Sequence, residues 1–328
     1  MKRSSLTPTV GSIFALFALT CGCAPNTKVP AGAPLLVQFA VVTPAGVAAD
    51  LVTEGGAPIA APPLSYFFAL FDRILDPTAL ENLDADGGLT SKAGVASIEW
   101  SGPDAIAANT LYIPNGDQKF TLIPKLFGAP FGIGPSITVM PSFQLPSDEA
   151  VMALPSGTTI TVTLDPTKVR SHDQLSTFKA APGVPSPLVF ETEPFGFTTD
   201  APVGEFPEAG VADDGGADGG DTGDAGPTRG PPPPVAADFV LHVAFNNLTT
   251  DATGAAIQVA ATVGGIPVAG LVPVVARDPM SLATWTVSPP AAGWPAGALV
   301  TVTVGAAAAD VFQIALGAAV PVTFTVMP

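Results

Sequence analysis

The sequence predicts an all-β protein that consists of two β-sandwich domains joined by a disordered linker. Charged residues make up only 12% of the 328 residues, whereas the chain contains 34 glycines and 37 prolines. Long helices would require more Glu, Lys and Arg, and frequent glycine and proline favour short strands separated by turns. A segment rich in Asp, Gly and Pro interrupts the apolar sequence between residues 201 and 236.

Residues 237–328 are predicted to form the second domain. The stretch FVLHVAF (239–245) places its large apolar side chains on one face of a strand, so we expect His242 on the other face to point to solvent rather than bind a ligand. Further stretches of strand character are AAIQVAATV, GIPVAGLVPVVA, SLATWTV, ALVTVTV and VPVTFTV. Six or seven short strands in about 90 residues are typical of a β-sandwich.

Residues 34–200 are predicted to form the first domain, which long loops enlarge. Its expected strands are LLVQFAVVTP, LSYFFALFDRILDPTAL with a turn at Asp76-Pro77, VASIEWSG, KFTLIP, SITVMP, SGTTITVTL and a closing LVFETEPFGFTT. The stretches PSGTTITVTLDPTKV and PAGALVTVTVGAAAADV share a proline, a small residue, a glycine and then an alternating Val/Thr strand. Both regions also end in a Phe-rich strand, so the sequence indicates a weak internal repeat of one sandwich unit.

These stretches resemble the bacterial Ig-like domains of exported surface proteins and lipoproteins. The resemblance is carried by LFDRILDPTAL, PSITVMP, LPSGTTITVTLDPTKVRSHDQ with FGFTTD, and WPAGALVTVTV with VTFTV. It implies two Ig-like sandwiches. In the family, a D-x-x-G turn follows the strand that reads G-x-x-[VI]-T-V-T. Here SHDQLSTF stands at that place, with Asp173 but without the glycine, and the second copy has only Asp310.

The segment 201–236 is predicted to be a disordered linker. It has almost no large apolar residue, it ends in four consecutive prolines at 231–234, and its first part contains Asp213, Asp214, Asp218, Asp221 and Asp224. Calcium loops also place aspartates at short intervals, but no Glu closes an EF-hand at the twelfth position and no apolar residue seats a β-roll turn. A solvated linker is therefore favoured. A turn is favoured in the same way for Asp84 and Asp86 in LDADGG.

The first 22 residues have the order of a secretory signal. Lys2 and Arg3 precede the apolar run VGSIFALFAL (10–19). That run has about half of the roughly 20 residues that a membrane-spanning helix needs. We therefore expect an export signal and not a transmembrane anchor.

The only two cysteines follow in LTCGC (19–23). This stretch resembles the bacterial lipoprotein signal, which implies acylation of Cys23 because the family has a small residue before the cysteine and Gly22 precedes Cys23. Cys21, preceded by Thr20, is the alternative attachment site, and a plain cleaved signal is another reading. Residues 23–33 would then form a tether. A redox pair is disfavoured by the C-x-C spacing, and a zinc site is disfavoured because only His172 and His242 could add ligands.

The formal net charge of −16 argues against nucleic-acid partners and against electrostatic attachment to anionic lipid. The membrane is therefore expected as a partner through the N-terminal lipid alone. Other expected partners are an envelope protein or a polysaccharide.

No catalytic motif emerges from the sequence. With two histidines and no G-x-S-x-G elbow, a serine-hydrolase triad is disfavoured, and P-loop and dinucleotide fingerprints are absent. Glu99 beside Trp100 could belong to an acid pair, but neighbouring residues on a strand point to opposite faces, so a surface Glu and a core Trp are favoured. The sequence therefore predicts no enzyme, no cofactor and no metal.

The aromatic residues leave one alternative open. Trp100, Trp285, Trp294, Tyr66 and Tyr112 could form a sugar-binding platform, although buried packing is favoured. We accordingly predict an exported, lipid-anchored cell-envelope protein, at the outer membrane or cell surface, with a structural, adhesive or ligand-presenting role. The alternative is a carbohydrate- or polymer-binding accessory module.

Overall fold

A computed structural model describes residues 32–46, 60–83, 89–114, 135–203 and 231–328. Strands predominate in these ranges, and the helices in them are α1 (Pro77–Leu80) and α2 (Asp251–Ala256). The all-β class predicted from composition and alternation is confirmed. The predicted strand KFTLIP (119–124) and most of the predicted linker lie outside the described residues.

Sandwich 1 contains two main sheets that face each other. Its strands, in chain order, are β1 (Leu35–Val42), β2 (Tyr66–Phe71), β3 (Glu81–Leu83), β4 (Leu89–Ser91), β5 (Ala96–Glu99), β6 (Ala107–Ile113), β7 (Ser136–Gln144), β8 (Ala150–Val151), β9 (Thr159–Leu164), β10 (Lys179–Ala180) and β11 (Leu188–Glu191). One sheet has the order β10-β1-β2-β7-β6, with β8 attached to β7, and the other has the order β11-β9-β5. Strands β3 and β4 form a separate hairpin.

The core of sandwich 1 lies between these two sheets. Leu36, Phe67 and Ile137 contribute from the larger sheet, and Ile160 and Val162 contribute from the smaller one. All five side chains are fully buried, because alternate residues of each strand point inward. The expected Asp76-Pro77 turn is the start of α1, where the Asp76 carboxylate accepts the main-chain N–H of Thr78 (3.0 Å).

Sandwich 2 contains two four-stranded sheets. Its strands are β12 (Phe197–Thr199), β13 (Leu241–Phe245), β14 (Ile257–Val263), β15 (Ile266–Pro267), β16 (Val274–Arg277), β17 (Thr284–Ser288), β18 (Ala298–Val304) and β19 (Val320–Thr325). The sheets have the orders β12-β13-β17-β16 and β15-β14-β18-β19. Inward-pointing residues such as Val243, Val287 and Val302 are fully buried between the sheets.

The two sandwiches repeat one strand order. The order β1-β2-β7-β6 in sandwich 1 corresponds to β12-β13-β17-β16 in sandwich 2, and β5-β9-β11 corresponds to β14-β18-β19. A hydrogen-bond pair is repeated as well. The residue after β2, Asp72, accepts the N–H of Leu35 (2.7 Å), and the residue after β13, Asn246, accepts the N–H of Gly196 (3.0 Å). The weak sequence repeat therefore reflects two copies of the same architecture.

The structure differs from the expected domain order at the stretch FGFTTD. Strand β12 pairs with β13 of sandwich 2, with Phe197 opposite Phe245 and Thr199 opposite Val243. Phe195, just before β12, is buried in the second core and stacks on Phe245 at 5.2 Å. The stretch therefore opens the second sandwich instead of closing the first, because its aromatic side chains pack against the second core.

The Asp-, Gly- and Pro-rich segment consequently does not join the two sandwiches. Val235, just after the four prolines, is buried in the second core and donates its N–H to Thr325 (2.8 Å). The described chain on both sides of residues 204–230, β12 before them and Val235 after them, therefore belongs to sandwich 2. The chain crosses between the sandwiches through residues 192–196 instead.

Candidate functional site

The junction between the two sandwiches is the most elaborate site in the described residues. The turn Asp310–Gln313, which follows β18 in sandwich 2, inserts against sandwich 1. Phe312 is 4% exposed, and its ring contacts Phe143 (4.4 Å between ring centroids) and Trp100 (5.7 Å). Val311 and Phe312 both belong to the core of sandwich 1. One apolar core therefore extends across the junction.

A buried carboxylate lies at the centre of the junction. Asp310 is fully buried, and its Oδ1 accepts the main-chain N–H groups of Phe312 (3.0 Å) and Ile314 (2.9 Å). Its Oδ2 accepts the N–H of Ser156 in sandwich 1 (3.2 Å) and the Nδ2–H of Asn247 (3.0 Å). Four donors therefore satisfy both oxygens, which offsets much of the cost of removing a carboxylate from water.

Asn247 extends this network across the junction. It is fully buried, and its two Nδ2 hydrogens are shared among Asp310 Oδ2, the Leu154 carbonyl (2.9 Å) and Ser156 Oγ (2.9 Å). Its Oδ1 accepts the N–H of Leu248 (2.8 Å). Because the hydrogen bonds to Leu154 and Ser156 depend on the placement of both sandwiches, the network fixes their relative orientation.

Burial raises the pKa of Asp310, and the hydrogen bonds from Ile314, Ser156 and Phe312 oppose that rise. The carboxylate has no exposed surface, so a substrate cannot reach it while the junction is closed. The arrangement can hold two domains together, but it offers no acid–base chemistry at the surface.

Sandwich 1 has an equivalent turn at Ser171–Gln174, at its opposite end. Gln174 and Gln313 have φ angles of 65° and 64°, and each donates its N–H to the first residue of its turn. These glutamines occupy the left-handed backbone region, for which glycine is normally favoured. Ser171, and not Asp173, therefore occupies in its turn the position that Asp310 has in the other.

The two turns differ in the side chains between their ends. Val311 and Phe312 in sandwich 2 correspond to His172 and Asp173 in sandwich 1, and both of the latter are exposed. The Asp173 carboxylate accepts the Ser171 hydroxyl and the N–H of Leu175 within its own turn. The apolar pair therefore occurs in the turn that packs against another sandwich, and the polar pair occurs in the turn that faces solvent.

The structure does not bring the predicted site residues together. Cys21, Cys23, Asp84, Asp86 and the linker aspartates lie outside the described residues. His172 and His242 belong to different sandwiches. His242 points outward from β13, as expected, and its Nδ1 lies 2.6 Å from Asp200 Oδ2. Glu99 is exposed on β5, and its neighbour Trp100 is half-buried.

In the ranges that the structure describes, no three His, Cys, Asp or Glu side chains lie close enough to hold a metal ion. A surface cleft of about 400 Å³ lies between β5 and β6. Its lining side chains are non-titratable, with Ser97 and Asn109 as the polar ones. The cleft therefore offers hydrogen bonds but no charged group.

Four of the five candidate aromatics are core residues, as the sequence favoured. Tyr66, Tyr112, Trp285 and Trp294 are between 2% and 5% exposed. Trp285 donates to Thr249 Oγ1 (2.9 Å) and Trp294 donates to the Phe239 carbonyl (2.7 Å), so their polar atoms are satisfied internally. Trp100 packs on Phe312 at the junction and donates to the Asp104 carbonyl (2.7 Å).

Sequence reasoning missed the junction, although one signal was present. The turn ADVFQIAL contains the apolar pair Val311-Phe312 directly after Asp310, and two adjacent large apolar side chains are unusual in a solvent-facing turn. Asn247 and Ser156 carried no signal, because they lie 91 residues apart and meet only in the folded chain.

The helices in the described residues are too short or too polar to cross a bilayer. No family model matches the chain, and a search of curated proteins found no similar one.

Proposed function

We propose that the protein is an exported, lipid-anchored cell-envelope protein that carries two Ig-like domains as one rigid body, in a non-catalytic structural, adhesive or ligand-presenting role. The observation that carries the proposal is the buried junction, where Phe312 and Asp310 of sandwich 2 are enclosed by residues of sandwich 1. A rigid pair of domains holds a surface at a fixed distance and angle from its anchor, which a flexible connection does not.

The strand order supports the Ig-like part of the proposal. In constant-type Ig domains the sheets have the orders A-B-E-D and C-F-G. The sheets β1-β2-β7-β6 and β5-β9-β11 follow that order in sandwich 1, with the β3–β4 hairpin inserted between B and C. Sandwich 2 follows it with β12-β13-β17-β16 and β14-β18-β19, and adds β15 beside the C strand.

The N-terminal sequence supports the lipid anchor. A basic start, a short apolar run and Gly22-Cys23 have the order of a lipoprotein signal. The described chain begins at Gly32, nine residues after Cys23, so a tether from Cys23 would span at most about 30 Å. Sandwich 1 would therefore remain close to the bilayer.

The non-catalytic part of the proposal rests on the chemistry of the described polar groups. Asp310 is enclosed, His242 is engaged by Asp200 on an outward strand face, and the cleft beside β5 has a non-titratable lining. The sugar-binding alternative requires exposed, coplanar aromatic rings. Four of its five candidate rings lie in the cores and thus give it no support.

The test compares the two cysteines in the full-length protein expressed in a bacterial host. Cys23→Ser should abolish labelling with a radioactive or clickable fatty acid and release the protein from the membrane fraction, since each acyl CH₂ contributes about 0.8 kcal/mol to membrane binding. Cys21→Ser is the matched control and should leave labelling and membrane association unchanged, because Cys21 is removed with the signal.

The opposite result for the two variants would show that Cys21 carries the lipid. If neither variant changes labelling and membrane association, the lipid anchor is wrong.

A further inference from the structure

The basic residues of the described chain are concentrated at one end of sandwich 1. We call this end the anchor-side end and define it by Leu35, where β1 begins, and by residues 72–81, 92–95 and 165–180. The described residues contain six Lys and Arg side chains, of which Arg277 lies in sandwich 2. The other five, all at the anchor-side end, are Arg73, Lys92, Lys168, Arg170 and Lys179.

Contacts place these five side chains at the same end. The Arg73 guanidinium lies beside Gly32, where the described chain begins, and Lys179 pairs with Leu35 through β10. Lys168 donates to the Ala93 carbonyl, and Lys92 donates to the Thr78 carbonyl.

Arg170 completes the group by its ion pair with Asp76 (3.0 Å). The junction with sandwich 2 lies at the opposite end of sandwich 1, at Trp100, Phe143 and Ser156.

The acidic residues follow a different distribution. Five carboxylates lie at the anchor-side end and balance its five cations: Asp72, Asp76, Glu81, Asp165 and Asp173. The other described residues carry eleven carboxylates against the single guanidinium of Arg277, which is a net charge of −10. The described part of the protein is therefore electrically asymmetric, neutral at one end and strongly acidic over the rest.

We infer that the anchor-side end faces the lipid head groups of the membrane and that sandwich 2 projects away from it. The inference rests on the proposed lipid anchor at Cys23, which confines sandwich 1 to within about 30 Å of the bilayer. An anionic leaflet repels carboxylates and attracts Lys and Arg within a Debye length of about 8 Å. Of the described surface, the anchor-side end, where five cations balance five carboxylates, is the part that can approach the lipid at the lowest electrostatic cost.

Two of the five cations are best placed to exchange their present contacts for phosphate groups. Lys179 is exposed on the edge strand β10, and Lys168 makes its hydrogen bond to a surface carbonyl. Arg73 and Arg170 are held by Asp72 and Asp76. Lys168 and Lys179 are therefore the residues whose charge should matter most for orientation.

The experiment measures which end of the acylated full-length protein approaches the lipid. Leu175 at the anchor-side end is 84% exposed, and Met280 in sandwich 2 is 91% exposed. Each is replaced singly by Cys and labelled with a fluorophore, since Cys23 is blocked by its lipid and Cys21 is removed. The protein is reconstituted in vesicles of equimolar phosphatidylglycerol and phosphatidylethanolamine that carry a quencher on their head groups. We expect the label at residue 175 to be quenched several-fold more than the label at residue 280.

Matched charge variants test the electrostatic cause. Lys168→Gln/Lys179→Gln lowers the charge by two units at the anchor-side end, and Gln144→Glu/Gln258→Glu lowers it by two units at exposed positions elsewhere. The first variant should reduce the quenching ratio of residue 175 to residue 280 by about twofold or more, and the second should not reduce it.

The outcomes separate the two proposals. If the protein is not acylated and does not float with the vesicles, the proposed anchor fails and the inferred orientation fails with it. If it is acylated and floats but both labels are quenched equally, the orientation alone is overturned. If the label at residue 175 is preferentially quenched but Lys168→Gln/Lys179→Gln leaves the quenching ratio unchanged, these charges do not cause the orientation.

Discussion

The main-chain N–H of Ser156 in sandwich 1 donates to the carboxylate of Asp310 in sandwich 2, at 3.2 Å and without solvent access to either residue. The two residues are 154 positions apart in the chain. Their contact makes the stability of one sandwich depend on the presence of the other. We therefore expect the two sandwiches to unfold in one cooperative transition.

Asp310→Ala is expected to lower the free energy of unfolding by about 3–5 kcal/mol, since it leaves three main-chain N–H donors at the junction without their acceptor. Urea denaturation followed by circular dichroism measures this loss. The exposed Asp238 provides the control, and Asp238→Ala should change the free energy by less than about 0.5 kcal/mol. Equal effects of the two substitutions would show that the junction contributes little to stability.

Phe312→Ala should separate the two sandwiches. The substitution removes a 4% exposed ring that contacts Phe143 and Trp100, and such deletions cost about 3–5 kcal/mol. We expect the single unfolding transition to split into two, together with a red shift of tryptophan emission as Trp100 becomes exposed. Leu175→Ala, directly after the equivalent solvent-facing turn, should leave both observations unchanged, because Leu175 is 84% exposed.

Gly254→Ala should destabilise sandwich 2 although alanine is the better helix former. A Cβ atom at residue 254 in α2 would lie 2.3 Å from the ring of Trp285, which is 5% exposed and cannot move aside. Overpacking of this kind costs about 1–3 kcal/mol. Alanine gains about 1 kcal/mol in helix propensity over glycine, so a cost in the upper part of that range gives net destabilisation.

The control for this substitution is Gly196→Ala, where the nearest atom lies at 3.8 Å. A thermal melt that shows no difference between the two alanine variants would contradict the close contact of Gly254 with Trp285.

Tyr112 should make the protein sensitive to alkali. Burial raises its pKa from 10.0 to about 12, while its hydroxyl oxygen accepts the N–H of Leu75 (2.8 Å). The folded pKa lies above the unfolded one, so the stabilising contribution is complete below pH 10 and is lost as the pH rises towards 12. The loss is about 2–3 kcal/mol over this interval.

Tyr112→Phe removes the titrating group and serves as the comparison. The free energies of unfolding of the wild type and this variant should converge between pH 10 and pH 12. Parallel curves over this interval would rule out a contribution from Tyr112.

A fragment of residues 194–328 should be more stable than the fragment 237–328 that the sequence delimits. The shorter fragment lacks β12, Phe195 and Val235, and burial of one large apolar side chain contributes about 1.5–3 kcal/mol. The difference should appear as a higher urea midpoint for the longer fragment. Identical midpoints would mean that β12 does not contribute to sandwich 2.

The regular strands were the part of the fold that could be predicted from the sequence. The stretches around β9, β13 and β18 alternate apolar and polar residues, and this alternation is enough to identify a strand and its buried face. The outward position of His242 followed from the same rule. The short helix α2 was not predicted, because its six residues Asp251–Ala256 are too few to show a helical period.

The partner of a strand could not be predicted in the same way. Apolar and polar residues alternate in FGFTTD as they do in many edge strands. Nothing within this stretch indicates whether it pairs with β11 or β13. The choice depends on Phe195 and Phe197, whose rings contact Phe245. That contact exists only after β13 has been placed.

The β class, most of the strands and their inward faces could be read from the sequence alone, because these depend on local alternation and turn chemistry. Only the folded chain shows that β12 belongs to sandwich 2, that the residues flanking the acidic segment both lie in it, and that Asp310 and Phe312 join it to sandwich 1. These features depend on contacts between residues far apart in the chain, such as Asp310 and Ser156. Such contacts form only when both partners have already been positioned by their own strands, so a local stretch can indicate a contact surface, as Val311-Phe312 does, but not its partner.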